Sequence, residues 1–215
     1  MPTPALDSTT TAPPLDVQPT TQTSTGIRQR VIAVDAGQRT QLLRHLIKQS
    51  DWPRVLIFVA TKHAAEMVAD KLRKTGLSAE PLHNQLSQGK RTQVWLDFKA
   101  GRLRAVVATE AAVRGLALPP LPLLANYDLP RSALDYSYCL DCVAPGGWVL
   151  SFVSVDTEAH FTLIEKRQQL NLPREQIAGF EPLQTATTAE PSTGGTKGRR
   201  PNKKDKLRSA ANPGH

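Results

Sequence analysis

Short apolar runs alternate with stretches of helical periodicity through the middle of this 215-residue chain. The candidate strands are residues 31–34, 55–59, 105–108, 123–127 and 148–153, and each is mostly apolar along its whole length. Runs of this kind are typical of strands buried in a parallel sheet that helices cover on both sides.

Helical periodicity fills the segments between the first strands. One helix face is formed by Leu42, Leu43, Leu46 and Ile47, and a second by Ala64, Ala65, Val68 and Leu72. Thr61 and Ser87 are candidate N-caps, because Thr and Ser hydroxyls accept hydrogen bonds from the first free helix N–H groups. The alternation predicts an α/β fold of three layers with a mostly parallel sheet and right-handed crossovers.

Composition changes near Gly26 and again near Thr185. Residues 1–26 are rich in Thr and Pro, and both this segment and residues 184–215 have few large apolar side chains. Segments of this composition cannot bury enough surface to offset the entropy lost on ordering. We therefore predict disordered tails at 1–26 and 184–215 around one folded domain at 27–183.

The net charge of +8 is concentrated in the second predicted tail. Apart from Glu190 and Asp205, its charged residues are all basic: Lys197, Arg199, Arg200, Lys203, Lys204, Lys206 and Arg208. A basic cluster attracts polyanions, a class that includes nucleic acid and anionic membrane surfaces. It also serves as a solubilising tail in many proteins, and that interpretation stays open.

Membrane, secretory and metal functions are not expected. The chain has no apolar run of about 18 residues and no signal-peptide order, which predicts a cytoplasmic protein with no membrane contact. Cys139 and Cys142 have no flanking His or Cys residues, so we expect reduced structural thiols and no metal site.

Donor side chains follow the predicted strands. In an open α/β sheet ligands gather at the carboxyl ends of the strands, here the loops after Val59, Leu82 and Ala108. Hydroxyl, amide and guanidinium groups suited to phosphate and ribose oxygens occur there, carried by Thr61, Ser87, Gln88, Arg91, Thr109 and Arg114. No carboxylate pair or Ser/His/Asp set accompanies them.

These segments resemble the C-terminal RecA-like half of bacterial DEAD-box RNA helicases over about residues 27–183. Residues 55–62 are similar to that family's motif IV, 88–91 (Q-G-K-R) to its QxxR element, and 107–118 (V-A-T-E-A-A-V-R-G-L-A-L) to its motif V, while 126–130 resemble the strand and turn that follow. The resemblance implies a RecA-like fold with a single-stranded RNA path. The RNA-binding residues it suggests are Thr61, Gln88, Arg91, Thr109, Arg114 and Gly115.

The sequence departs from the family where the nucleotide would be contacted. Motif VI is replaced by Y-C-L-D-C-V-A-P at 138–145, so the two family arginines that approach the γ-phosphate fall on Cys142 and Pro145. Neither side chain can neutralise charge on a transferred phosphoryl group. Ala117 and Glu110 stand where motif V has aspartates. No G-x-x-x-x-G-K-[ST] phosphate loop and no Asp-Glu-Ala-Asp run occur, so no catalytic residue is assigned.

We interpret the chain as an RNA-binding C-terminal RecA-like domain without ATPase or unwinding activity by itself. Its partner would be single-stranded or structured RNA, and it would use no cofactor; ATP and Mg²⁺ would enter only with a first RecA-like domain. Two alternatives remain. In the first, the chain completes an ATP-dependent RNA helicase with a separately encoded first domain. In the second, it is a decaying remnant. A ribonucleoprotein is a further candidate partner.

Several singled-out residues also have structural interpretations. Lys90 and Arg91 could form a solvated helix face, and Arg114 could be an ion-pair partner instead of an RNA ligand. Trp95 and Phe98, three residues apart, are expected to face the core.

Overall fold

The computed structural model describes residues 21–22, 26–50 and 52–182. Most of the two predicted tails, including the whole basic cluster, lies outside the described residues. The elements in chain order are β1 (Thr21–Gln22), β2 (Arg28–Ala33), α1 (Arg39–Gln49), β3 (Val55–Val59), α2 (Lys62–Arg73), β4 (Ala79–Leu82), α3 (Gln88–Lys99), β5 (Ala105–Thr109), α4 (Glu110–Val113), β6 (Leu121–Asn126), α5 (Ala133–Asp141), β7 (Val143–Val153), α6 (Val155–Gln168) and β8 (Arg174–Glu175).

The strands of the described chain form one mostly parallel sheet in the order β1-β2-β7-β6-β3-β5-β4, with β8 also pairing with β2. Only the short β1 runs antiparallel to its neighbour β2. At the centre, β3 pairs in parallel with β5 from Val55↔Ala105 to Val59↔Thr109, and with β6 on its other side. The predicted α/β three-layer fold with a mostly parallel sheet is confirmed.

The central strands are buried on both faces, as their apolar runs predict. All five residues of β3 are buried: Val55, Ile57 and Val59 pack towards α1 and α2, and Leu56 and Phe58 pack towards α3 and α5. The predicted helix faces also lie in the core, except that Ala64 is only partly buried. Trp95 and Phe98 are buried, which confirms their structural interpretation.

Four of the five predicted strands differ from the observed strands at their ends. Strand β2 runs from Arg28 to Ala33, so Val34 lies beyond it, and β5 extends by one residue to Thr109. Strand β6 stops at Asn126, so Tyr127 lies beyond it, and β7 begins at Val143, five residues before the predicted start at Trp148. The early part of β7 is irregular: Leu121 pairs with Val143, but Leu123 pairs with Trp148. Gly147 lies in this bulge, where an added Cβ would come within 2.6 Å of the Val143 side chain. Only glycine fits such a close approach.

Both predicted N-caps are confirmed. The Thr61 hydroxyl accepts a hydrogen bond from the Ala64 N–H at 3.1 Å and begins α2, and the Ser87 hydroxyl accepts from the Lys90 N–H at 3.3 Å and begins α3. Each cap satisfies one of the free N–H groups at the helix start and fixes the residue at which the helix begins.

A partly buried ion pair joins three connections at the carboxyl ends of the strands. The Arg39 guanidinium donates to Asp128 Oδ1 at 3.1 Å, to the Tyr127 carbonyl at 3.3 Å and to Ser154 Oγ at 3.0 Å. The other oxygen of Asp128 accepts from the Ala60 N–H at 2.8 Å. One arginine and one carboxylate therefore hold together the loop after β3, the loop after β6 and the junction between β7 and α6.

We expect Arg39→Ala to lower the free energy of unfolding by roughly 3 kcal/mol, because it leaves the Asp128 carboxylate without its cation partner. Urea denaturation followed by circular dichroism measures this change. Arg44→Ala on the exposed face of the same helix is the matched control and should shift stability by less than about 0.5 kcal/mol. Equal effects of the two substitutions would contradict this role of Arg39.

Candidate functional site

The carboxyl ends of the parallel strands bring the predicted segments to one edge of the sheet, here called the carboxyl edge. Thr61 follows β3, Ser87 and Gln88 follow β4, and Thr109 ends β5. These strands are neighbours in the sheet, since β5 lies between β3 and β4. A hydrogen bond of 2.5 Å from Lys62 Nζ to Gln85 Oε1 joins the first two segments. Segments about 50 residues apart in sequence thus form one surface.

The first part of this surface consists of the starts of two helices. Thr61, Gln88 and Lys90 are exposed, and Arg91 is half-buried with its guanidinium hydrogen-bonded to the Gln88 amide oxygen. The buried Arg91 Nε has no partner in the structure. Free N–H groups at helix starts favour phosphate oxygens, and the basic side chains add charge to that preference.

His83 is a buried residue next to this surface. It lies at the end of β4, and its Nε2 lies 2.8 Å from Glu66 Oε1 on α2. The contact ties α2 to the loop that leads into α3, so His83 has a positioning role that the sequence did not indicate.

The second part of the surface is the predicted motif V segment. Arg114 forms ion pairs with Glu110 and, at 2.5 Å, with Asp135, and its guanidinium lies 4.8 Å from the centre of the Tyr138 ring. The hydrogen bond that Glu110 accepts from it raises the pKa of Arg114, while burial raises the pKa of Glu110. The ion-pair interpretation of Arg114 describes its contacts in this structure.

Gly115 follows Arg114 at a φ of +83°. This left-handed conformation favours glycine, and no heavy atom lies within 4 Å of where a Cβ would be. Gly115 therefore ends the short helix α4 and turns the chain, while leaving its backbone open to solvent.

A pocket of about 520 Å³ opens between the carboxyl ends of β3, β5 and β6. Of the six predicted RNA-binding residues, only Thr109 and Arg114 line it. Its other polar residues, which were not predicted as binding residues, are Glu110, Asn126, Asp128, Arg131 and Asp135. For Asp128 a signal was present, because it directly follows a predicted strand at its carboxyl end.

The segment that replaces motif VI is partly buried in the core. Cys139 and Cys142 are both buried and pack against the α3 side of the sheet, and Cys139 Sγ donates to Asn126 Oδ1 at 3.4 Å. Pro145 is exposed within β7. Neither Cys142 nor Pro145, which the resemblance aligns with the family's two arginines, carries a cationic side chain.

Two further findings apply to the described residues. No group of three or more His, Cys, Asp or Glu side chains among them is placed to hold a metal ion. None of the helices in this part of the chain is long and apolar enough to cross a membrane.

Together, the parallel strand order and the ligand-facing loops define a RecA-like α/β domain. Residues 38–141 match the family model "Helicase conserved C-terminal domain". The chain is 32% identical over 160 residues to the ATP-dependent RNA helicase RhlB of Pseudoalteromonas atlantica, and 31% identical over 137 residues to the ATP-dependent rRNA helicase RRP3 of Debaryomyces hansenii. These matches cover 74% and 64% of this chain, but only 36% and 29% of the relatives.

Solved structures agree with the sequence matches. The Escherichia coli DEAD-box protein SrmB, solved bound to the regulator of ribonuclease activity A, gives a TM-score of 0.64 at 27% identity, covering 72% of this chain and 93% of that one. A DEAD box protein from Methanococcus jannaschii gives 0.64 at 26% identity, covering 71% and 42%. The chain thus contains a C-terminal RecA-like domain of the DEAD-box RNA helicase family, and it spans about a third of the length of the curated relatives it matches.

We expect both thiols to be unreactive in the folded protein. Burial raises the pKa of Cys139 well above its usual value and that of Cys142 to about 11, so little thiolate forms near pH 8. A chromogenic thiol-disulfide exchange reagent should therefore report no fast-reacting group in native buffer and two groups in denaturant. Cys142→Ser should reduce the denatured count to one. A fast-reacting thiol in native buffer would contradict the buried placement.

Proposed function

We propose that this chain binds RNA through the carboxyl edge of its C-terminal RecA-like domain and does not hydrolyse ATP or unwind RNA by itself. The observation that carries the proposal is a division of the site: Thr61 and Gln88 are exposed and Arg91 is half-buried, whereas Cys142, at one of the family's two arginine-finger positions, is buried in the core. The chain keeps side chains suited to RNA binding and lacks the two family arginines that approach the γ-phosphate.

The chemistry of the first part of the surface supports the RNA half of this proposal. Thr61, Gln88 and Arg91 offer hydroxyl, amide and guanidinium groups at the starts of α2 and α3. Such groups recognise phosphate and sugar oxygens, which position RNA without reading its bases. The relatives are named RNA helicases, which makes RNA the favoured polyanion. The basic residues of 197–208 add a second attraction of the same kind.

The chemistry of the motif VI segment supports the second half. Arginine fingers contribute about 10³–10⁵ to the rate of phosphoryl transfer. A buried thiol and a proline supply none of this stabilisation. We therefore propose that the chain by itself uses neither ATP nor Mg²⁺, and that it acts in the cytoplasm.

A second candidate is a helicase part that works with a first RecA-like domain from another chain. The observation in its favour is that the matched relatives extend over about three times the length matched here. In this alternative the pocket at the carboxyl edge, with Arg131 exposed on its wall, faces the partner domain. ATP and Mg²⁺ would then be held largely by that domain.

We expect the full chain to bind single-stranded RNA with little sequence preference, and Arg91→Ala to weaken binding about fivefold because it removes a charge-assisted hydrogen bond of roughly 1 kcal/mol. Fluorescence anisotropy at several salt concentrations measures this. The control is Arg167→Ala on α6, which removes the same charge from a helix that carries none of the proposed RNA-binding residues.

Truncation after Gln184 should lower the slope of log affinity against log salt by ~0.7 for each phosphate that the tail neutralises. If truncation abolishes binding and Arg91→Ala has no effect, the tail is the sole binder.

We expect no phosphate release from ATP by the purified chain, with or without RNA, because Cys142 and Pro145 cannot stabilise the transferred phosphoryl group. Adding a separately expressed first RecA-like domain from a relative tests the second candidate. RNA-stimulated turnover that appears only in the mixture, and that falls with Arg131→Ala, would favour the helicase part. Turnover by the chain alone would overturn the proposal.

A further inference from the structure

A second group of basic side chains lies at the opposite edge of the sheet, where β3 and β5 begin. It consists of Lys48, Arg54, Lys99 and Arg104, here called the amino-edge cluster. Lys48 lies in the last turn of α1 and Lys99 in the last turn of α3, both exposed. The Arg54 guanidinium donates to the Lys99 carbonyl at 3.1 Å, and that of Arg104 donates to the carbonyls of Ile47 and Ser50 at 3.0 Å. These contacts bring the four residues into one neighbourhood.

Within the described residues no carboxylate neutralises these four cations. The two arginines donate to backbone carbonyls, and Arg54 also lies 6.0 Å from the Phe98 ring centre. Nearby, Asp97 is already paired with Arg102 at 2.5 Å. Asp51, which lies outside the described residues, adds at most one negative charge. At the carboxyl edge, by contrast, Arg39, Lys90 and Arg114 are each paired with an acidic side chain. Two other cations there, Lys62 and Arg91, hydrogen-bond to glutamine side chains.

Stabilisation of helix ends explains part of this arrangement but not all of it. A helix C-terminus carries about half a negative charge, so basic residues are favoured beside it. The ends of α1 and α3 together supply about one negative charge. Four full positive charges exceed that, and the ammonium groups of Lys48 and Lys99 are exposed at the ends of their helices. The excess charge faces solvent.

The composition of this edge favours a nucleic acid over a protein partner. Lysine is depleted in protein–protein interfaces, whereas protein–nucleic acid interfaces are polar and strongly positive. Among the large apolar side chains that the described residues expose, only Leu96 lies in the last turn of a helix ending at this edge. A mobile ammonium group matches a phosphate as a point charge and does not require fixed geometry.

We propose that the amino-edge cluster is a second RNA-contact surface that binds the phosphate backbone independently of the motif-based path. Strand β3 separates the two edges by about 16 Å, at roughly 3.3 Å for each of its residues. A single RNA strand of sufficient length contacts both edges by passing around the domain. The inference shares its ligand class with the proposed function, but the two surfaces carry different residues and therefore fail separately.

The test uses the full chain carrying Lys48→Gln and Lys99→Gln together, with a fluorescent single-stranded RNA of about 20 nucleotides. Both side chains are exposed, so circular dichroism should show an unchanged fold. Affinity at low salt should fall about five- to tenfold, and the slope of log affinity against log salt should fall by about 1.4, or ~0.7 for each phosphate contact. The matched control is Lys166→Gln with Arg167→Gln. It removes the same charge from the last turn of α6 and should leave the slope unchanged.

Each outcome decides between named surfaces. A weakening in the Lys48/Lys99 variant that adds to the weakening from Arg91→Ala supports two separate surfaces. A weakening in the Lys48/Lys99 variant with none from Arg91→Ala supports the amino edge and removes the motif-based path. Behaviour equal to the α6 control overturns the amino-edge proposal whether or not Arg91→Ala has an effect. Unchanged RNA binding by a variant that no longer binds poly-glutamate also overturns it and assigns the surface to an acidic polypeptide.

Discussion

The ion pair between Arg39 and Asp128 is the interaction on which the carboxyl edge depends. Asp128 accepts hydrogen bonds from both the Ala60 N–H and the Arg39 guanidinium, and Arg39 reaches on to Ser154. Loops after three different strands are therefore joined by hydrogen bonds of the buried Arg39 side chain and the partly buried Asp128 carboxylate. Removing either partner would leave the other charge poorly solvated, so the two residues stabilise the edge only as a pair.

At this edge, the segments that resemble the family's RNA-binding motifs keep polar donors, whereas the segment that replaces motif VI has no arginine. Around α2 and α3, polar donors remain exposed and suited to phosphate. After α5 the family's arginine positions are occupied by Cys142, which fills space against the sheet, and by Pro145. A thiol packs as a small apolar group, so Cys142 is well accommodated in the core. A cysteine at position 142 is thus compatible with a packed core.

Charge is distributed unevenly between the two ends of the strands. Three cations at the carboxyl edge, Arg39, Lys90 and Arg114, are paired with acidic side chains, whereas no described carboxylate pairs with the amino-edge cluster. Screening by salt weakens the attraction of both surfaces for a polyanion, but it acts most on the exposed lysines. The two edges and the basic segment 197–208 are therefore three proposed RNA contacts that differ in residue type and in position.

The sequence by itself determined the fold class, the central strands and the N-caps, because buried strands and helix starts leave local signals in apolar runs and in Thr or Ser positions. Its resemblance to the DEAD-box family also located the segments of the candidate site. Only the tertiary structure decided that Arg114 also pairs with Asp135, that His83 contacts Glu66, and that β7 begins at Val143. Those features depend on contacts between residues far apart in the chain, or on a bulge set by a neighbouring strand, and neither leaves a periodic signal in the sequence.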